Sequence, residues 1–325
     1  MKKYLNVFIV SILSVTMLSA CGSTNSTQVV DDNATKIVVT IFPEYDWVMN
    51  ILGNNPADVK VNLLLDNGVD LHSYQPTALD IMNISTCDMF IYVGGESDAW
   101  VAGALRDSAN PDRIVVNLMD ILGADAKEEE TVEGMQEEEE EHEHEEVEYD
   151  EHVWLSLRNT SRFIEHIAKS LGTIDQENAQ VYQANADAYT AKLNALDAQY
   201  AEAVSNAKTK TLLFADRFPF RYLTDDYGLS YFAAFSGCSA ESEASFETIM
   251  FLSNKADELN LPALMTIEGT DHRIAETVLQ NMANKNLPIL SLNSMQSTTS
   301  MDIQNGVTYL SIMESNLEVL KEALK

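Results

Sequence analysis

From Asp175 to Asn206 the chain contains neither Gly nor Pro, and its apolar positions Ala179, Tyr182, Ala186, Tyr189, Leu193, Leu196 and Tyr200 recur three and four residues apart. That spacing draws one stripe along an α-helix of roughly 30 residues, about 45 Å long at 1.5 Å per residue. Such a helix outruns a single small core, so it must divide the chain and run along both parts. The stripe is rich in Ala and Tyr and poor in Leu and Ile, which suits packing along two lobes better than zipping into a coiled coil. One rigid helix between lobes also limits hinge motion.

The same rhythm of elements stands on either side of it. Before the helix, Lys36–Phe42, Val59–Leu65, Met89–Val93 and Arg113–Leu118 are short β-branched or aromatic runs that read as strands. Helical segments follow them, one opening at Pro43, others over Pro76–Ser85 and Ser97–Asp107. After it, Thr211–Ala215, Ser230–Phe235, Ala263–Ile267 and Pro288–Leu292 read as strands, with helices over Phe218–Tyr227, Phe246–Leu259, Arg273–Asn284 and Ile303–Leu324. Alternation of this kind predicts an α/β fold of two lobes, each a mainly parallel four-stranded sheet flanked by helices. The expected boundaries are 36–174 for the first lobe, 175–207 for the linking helix and 208–325 for the second lobe.

Residues 1–20 read as an export signal: Lys2 and Lys3 form a positive head, Tyr4–Met17 is mostly apolar, and small residues lead to Leu18-Ser-Ala-Cys21. That ending resembles a bacterial lipobox, in which Cys21 would carry the lipid. Residues 21–35 are polar and read as a flexible tether. The expected location is therefore extracytoplasmic, anchored to the cell membrane by lipid at Cys21. Cys87 and Cys238 remain, each in an apolar or small-residue setting, and are expected as unpaired thiols.

The formal charge is −31, and 15 of the 24 residues from Glu128 to Glu151 are Asp or Glu. So acidic a chain is repelled by nucleic acid and by anionic membrane surfaces, and is suited to gathering cations. Residues 125–149 read as a disordered acidic loop, but this loop also holds His142 and His144 and leads to His152. Imidazole and carboxylate together are the donor set of a divalent ion such as zinc. In open α/β sheets ligands sit beyond the carboxyl ends of the strands. His72 follows the second strand there, and His152 follows the fourth after the acidic excursion. His166 falls on the polar side of an amphipathic stripe and is expected at the surface, and His272 is expected at the rim of the cleft.

Gly68-Val-Asp-Leu-His72-Ser-Tyr-Gln-Pro-Thr, Asp150-Glu-His152-Val-Trp-Leu, the Asp175–Tyr200 helix, Asp226-Tyr-Gly-Leu229 and Ser239-Ala-Glu-Ser-Glu243-Ala-Ser together carry a resemblance. From about Lys36 to Lys325 the chain resembles the substrate-binding lipoproteins of bacterial zinc and manganese ABC importers (solute-binding protein family 9). The resemblance implies a monomeric binding protein with no enzymatic activity, whose cargo is zinc or manganese and whose partner is an ABC permease. It implies His72 and His152 as ligands and an auxiliary metal-gathering role for His142 and His144. The second lobe departs from the pattern, because the family's third ligand falls on Arg217, which stays protonated, and its last carboxylate falls in the uncharged Asn293–Gln296. Glu268, Asp216 and Glu243 (with Glu241 beside it) follow strands of the second lobe and are the candidate replacements.

Two other functions fit parts of the pattern. A surface adhesion or metal-storage lipoprotein would use the acidic loop to hold several weak ions. A zinc hydrolase would need two His, a carboxylate and an open position, yet no His-Glu-x-x-His, Gly-x-Ser-x-Gly or P-loop motif occurs in the sequence.

Overall fold

The computed structural model describes residues 34–54, 57–106, 108–136, 148–239 and 243–325. Cys21, His142, His144 and Glu241 lie outside the described residues.

The first lobe runs β1 (Lys36–Val39), α1 (Phe42–Leu52), β2 (Lys60–Leu63), α2 (Ala78–Thr86), β3 (Met89–Tyr92), α3 (Val101–Arg106), β4 (Ile114–Asn117), α4 (Leu118–Leu122) and α5 (Leu157–Ile174). The linking helix is α6 (Ala179–Ser205). The second lobe runs β5 (Thr211–Phe218), α7 (Arg221–Tyr227), β6 (Ser230–Ser236), α8 (Phe246–Glu258), β7 (Leu264–Ile267), α9 (Arg273–Asn281), β8 (Ile289–Leu292), α10 (Ser300–Gln304) and α11 (Tyr309–Ala323). Both sheets are four-stranded and parallel throughout, with orders β2-β1-β3-β4 and β6-β5-β7-β8. The two orders are the same when each lobe is counted from its own first strand. In both, the chain reverses direction across the sheet beside the first strand, which opens a crevice at the carboxyl ends. The two-lobe α/β expectation is met.

Tyr182, Ala186, Tyr189, Leu193, Leu196, Tyr200 and Val204 are the buried face of α6, and its tyrosines do more than fill space. Tyr182 donates to Asp175 at 2.6 Å, Tyr189 to Asp46 of α1 at 2.9 Å, and Tyr200 to the Met313 carbonyl of α11 at 2.6 Å. One helix therefore hydrogen-bonds to elements of both lobes. A single hydrophobic cluster also runs through both, from Ile37 and Trp47 to Phe214 and Tyr309, with a smaller one around Leu213, Leu252 and Val278. Trp154 Nε1 donates to the Ser294 carbonyl at 2.9 Å, and Ser156 Oγ to Asp226 at 2.6 Å, which adds polar ties across the junction.

Two elements differ from expectation. The strand expected to end at Ala215 continues to Phe218, with a register shift against β6 between Phe214 and Arg217. Asp216 and Arg217 therefore lie in the strand, not beyond it. The helix expected over Ile303–Leu324 is two helices, α10 and α11, parted at Gly306, whose φ of 87° suits a residue without Cβ. Thr308 then caps α11 by accepting from Ser311 N at 3.1 Å. Within the segment expected as a disordered acidic loop over 125–149, the described residues Lys127, Glu130 and Gln136 bond to the second lobe. Lys127 N donates to Tyr222 Oη at 2.9 Å, Arg221 pairs with Glu130 at 3.1 Å, and Gln136 N donates to the Ala234 carbonyl at 2.9 Å.

Candidate metal centre

His72 sits on a one-turn 3-10 helix, Leu71–Ser73, that follows β2. Asp70 caps this turn by accepting from His72 N at 3.0 Å. His152 opens a second such turn, Val153–Leu155, and its backbone N–H is taken by Asp150 at 2.8 Å. His152 is fully buried, and the His72 side chain is 11% exposed.

Each imidazole is fixed through its Nδ1 atom. His72 Nδ1 lies 2.7 Å from Ser97 Oγ, and His152 Nδ1 lies 3.1 Å from Asp150 Oδ1. The two Nε2 atoms are left facing each other at 3.2 Å. Burial lowers the pKa of His72, and the neighbouring His152 lowers it further. For His152 burial acts in the same direction, but Asp150, then Glu151 and Asp70, outweigh it and raise its pKa. The two shifts are opposite in sign, so His152 holds a proton more readily than His72.

The second lobe closes over the pair. Arg217 Nη2 donates to Asp70 Oδ2 at 2.8 Å, and the same guanidinium reaches the Ser239 carbonyl at 3.3 Å. Gln296, with its amide turned to satisfy its neighbours, donates to Asp70 Oδ1 at 3.0 Å and accepts from His152 Nε2 at 2.7 Å. Gly237 packs on the flank of His152: a Cβ there would come within 2.9 Å of His152 Cε1 and of the Phe218 carbonyl. Its neighbour Cys238 is brought to the two imidazoles. Among the described residues, His72, His152 and Cys238 form the group whose ligand atoms all lie within 4.8 Å of one another. Cys87 and Cys238 are both free thiols. Burial, then the Glu129 charge, push the pKa of the Cys238 thiol up.

The carboxylates singled out in the second lobe lie outside that group. Glu268 accepts from Ser294 N at 2.7 Å, Ser294 Oγ at 2.9 Å and Gln296 N at 3.2 Å, so it gathers the 294–297 loop that carries Gln296. Burial raises the pKa of Glu268, and the Ser294 bonds oppose that shift. Asp216 accepts from Ile267 N at 3.2 Å and Thr270 Oγ1 at 3.0 Å. Glu243 is exposed. His272, in the left-handed conformation with φ 57°, lines a cleft of about 410 Å³ beside Asp70, Arg217 and Ser239, and His166 is exposed.

Sequence comparison decides the family. Residues 37–323 match the model of the periplasmic zinc-uptake complex component A, ZnuA. The chain belongs to the ZnuA family. It is 31% identical to the zinc-binding lipoprotein AdcA of Streptococcus pneumoniae over 95% of this chain and 59% of AdcA. It is 28% identical to the high-affinity zinc uptake system protein ZnuA of Bacillus subtilis, over 99% of this chain and 98% of that protein. The crystal structure of the Zn(II)-bound ZnuA-like domain of Streptococcus pneumoniae AdcA superposes with a TM-score of 0.69 at 27% identity, covering 90% of this chain and 99% of that domain. The chain thus spans about three-fifths of the AdcA relatives and nearly the whole of the Bacillus ZnuA. The ZnuA assignment meets the family resemblance carried by the His72 and His152 motifs.

Sequence reasoning did not anticipate Cys238 or Gln296 at the centre. The available signal for Cys238 was its place, one residue beyond a Gly at the carboxyl end of β6.

Proposed function

We propose that this chain is the extracytoplasmic binding component of an ABC importer, which captures zinc at His72 and His152 and hands it to a membrane permease. One observation carries the reading: two buried imidazoles, each fixed through Nδ1, face each other with Nε2 atoms 3.2 Å apart. A tetrahedral zinc with Zn–N bonds of about 2.05 Å spans nitrogens roughly 3.3 Å apart, so the pair is set at a metal's bite distance. The ZnuA relatives are named for zinc uptake, which supports binding over turnover. Residues 1–20 act as the export signal, Cys21 as the lipid attachment point and 21–35 as the tether to the membrane. The lobes are 36–174 and 208–325, joined by a linking helix within 175–207, and the protein works as a monomer. His142 and His144 gather metal ahead of the tight site.

Titration calorimetry of the mature protein tests this. One zinc should bind tightly, and His72→Ala and His152→Ala should each weaken binding by a hundredfold or more, on the order of 3 kcal/mol. Deleting residues 137–147 alone should leave the tight site in place. Unchanged affinity in both histidine variants would sink the assignment.

A further inference from the structure

We propose that Cys238 is the third metal ligand, which makes the centre a two-histidine, one-thiolate set selective for borderline and soft divalent ions over manganese. The inference rests on the metal-capture reading above and names a ligand from the second lobe.

Geometry carries it. The Cys238 sulfur and a ring nitrogen of each histidine already lie within 4.8 Å of one another, while a tetrahedral zinc with a Zn–S bond of about 2.3 Å needs sulfur roughly 3.6 Å from each ligating nitrogen. Closing that gap takes a side-chain adjustment, not a rearrangement of lobes. The approach is also built into the backbone. Gly237 lets the turn after β6 lie directly on the His152 ring, where any side chain would strike the ring or the Phe218 carbonyl. Glu129 accepts from Cys238 N at 3.4 Å and holds the turn from its other side.

Among the described residues, the side chains of the second lobe named at the pair supply no competing anion. Arg217 is a cation bound to Asp70, Gln296 is neutral, and Glu268 is occupied by the 294–297 loop. A thiolate provides the negative charge that this set of residues otherwise lacks. On binding, one metal–water bond is replaced by a metal–sulfur bond and the S–H proton leaves to solvent. Thiolate and imidazole suit zinc, cadmium and cobalt, whereas manganese prefers carboxylate, carbonyl and water. The fourth position is left to water.

Cobalt(II) makes the test direct, because a thiolate bound to it absorbs strongly in the near ultraviolet by charge transfer. The wild-type protein loaded with one Co(II) should show that band, and Cys238→Ser should lose it while keeping the weaker visible bands of bound cobalt. Competition titrations should show the zinc-over-manganese preference of Cys238→Ser reduced by at least about tenfold. Circular dichroism and thermal unfolding of the variant check that its fold is kept. Wild-type protein that binds cobalt without the near-ultraviolet band overturns the Cys238 assignment and leaves the histidine pair standing. Persistence of the band in Cys238→Ser overturns it equally. Failure of the wild type to bind cobalt or zinc at all overturns both readings.

Discussion

A guanidinium beside the two imidazoles proposed to bind metal would repel that cation unless an anion neutralised it. Asp70 does this for Arg217, and the pair also joins residues 147 positions apart across the lobes. Glu268 shows a similar division of labour, since both of its oxygens are committed to the backbone and hydroxyls of the 294–297 loop. Glu268→Gln keeps the shape but replaces a charged acceptor by an amide that must turn a donor toward other donors. The expected cost is about 1–3 kcal/mol of stability, read by denaturant unfolding, with zinc affinity changed only a few-fold. A hundredfold loss of zinc at unchanged stability would instead make Glu268 a ligand. That His72 and His152 would meet was legible from sequence, because both follow strands of one parallel sheet at the ends where ligands bind. Cys238 was not, because a small-residue setting reads as buried packing until the fold shows what lies beside it.

The element that organises the molecule was also the easiest to read. Helix periodicity without Gly or Pro is a local property, so α6 was visible in full, as were eight strands to within a few residues. The extension of β5 was not, because Asp216 has low strand propensity and the strand resumes only past a register shift, where Arg217 and Phe218 pair with Phe235 and Ser236 of β6. Nor was the attachment of Lys127, Glu130 and Gln136 to the second lobe, where single contacts such as Gln136 to Ala234 override a charge run that in isolation stays solvated. What the stripe on α6 left unexplained was its tyrosines. Tyr189→Phe tests the answer, since it strips the phenol that donates to the buried carboxylate of Asp46. Asp46 keeps its bond from Asn50, so the loss should be about 1–2 kcal/mol. Chemical unfolding should show a lower midpoint with an unchanged slope, whereas equal midpoints would show that the hydroxyl contributes nothing.

At the scale of the whole molecule, burial has placed several carboxyl groups where ionisation is costly. Burial raises Glu44 to about 8 and Asp98 to about 7, although backbone bonds from Ile41 and Gly94 respectively oppose the shift. His152 is also raised. Each of these groups binds its proton more tightly in the folded chain than in the unfolded one. Folding stability therefore falls as pH rises through their folded values. His72 has the opposite sign, but its lowered pKa ends its contribution by the ordinary histidine value of 6.5. Between pH 6.5 and about 8 groups with raised pKa set the sign, and mutual repulsion within a chain of formal charge −31 works in the same direction. Metal-free protein should accordingly unfold at a lower temperature at pH 8 than at pH 6.5. Glu44 is fully buried and accepts from Thr40 N at 2.8 Å and Ile41 N at 3.2 Å. Glu44→Gln keeps an acceptor there and cannot ionise, so it should remove up to ~2 kcal/mol of this dependence. Thermal unfolding of both proteins across that window decides the matter. A wild-type midpoint that is flat or rises with pH contradicts the buried-carboxyl account, as does a Glu44→Gln profile parallel to the wild type.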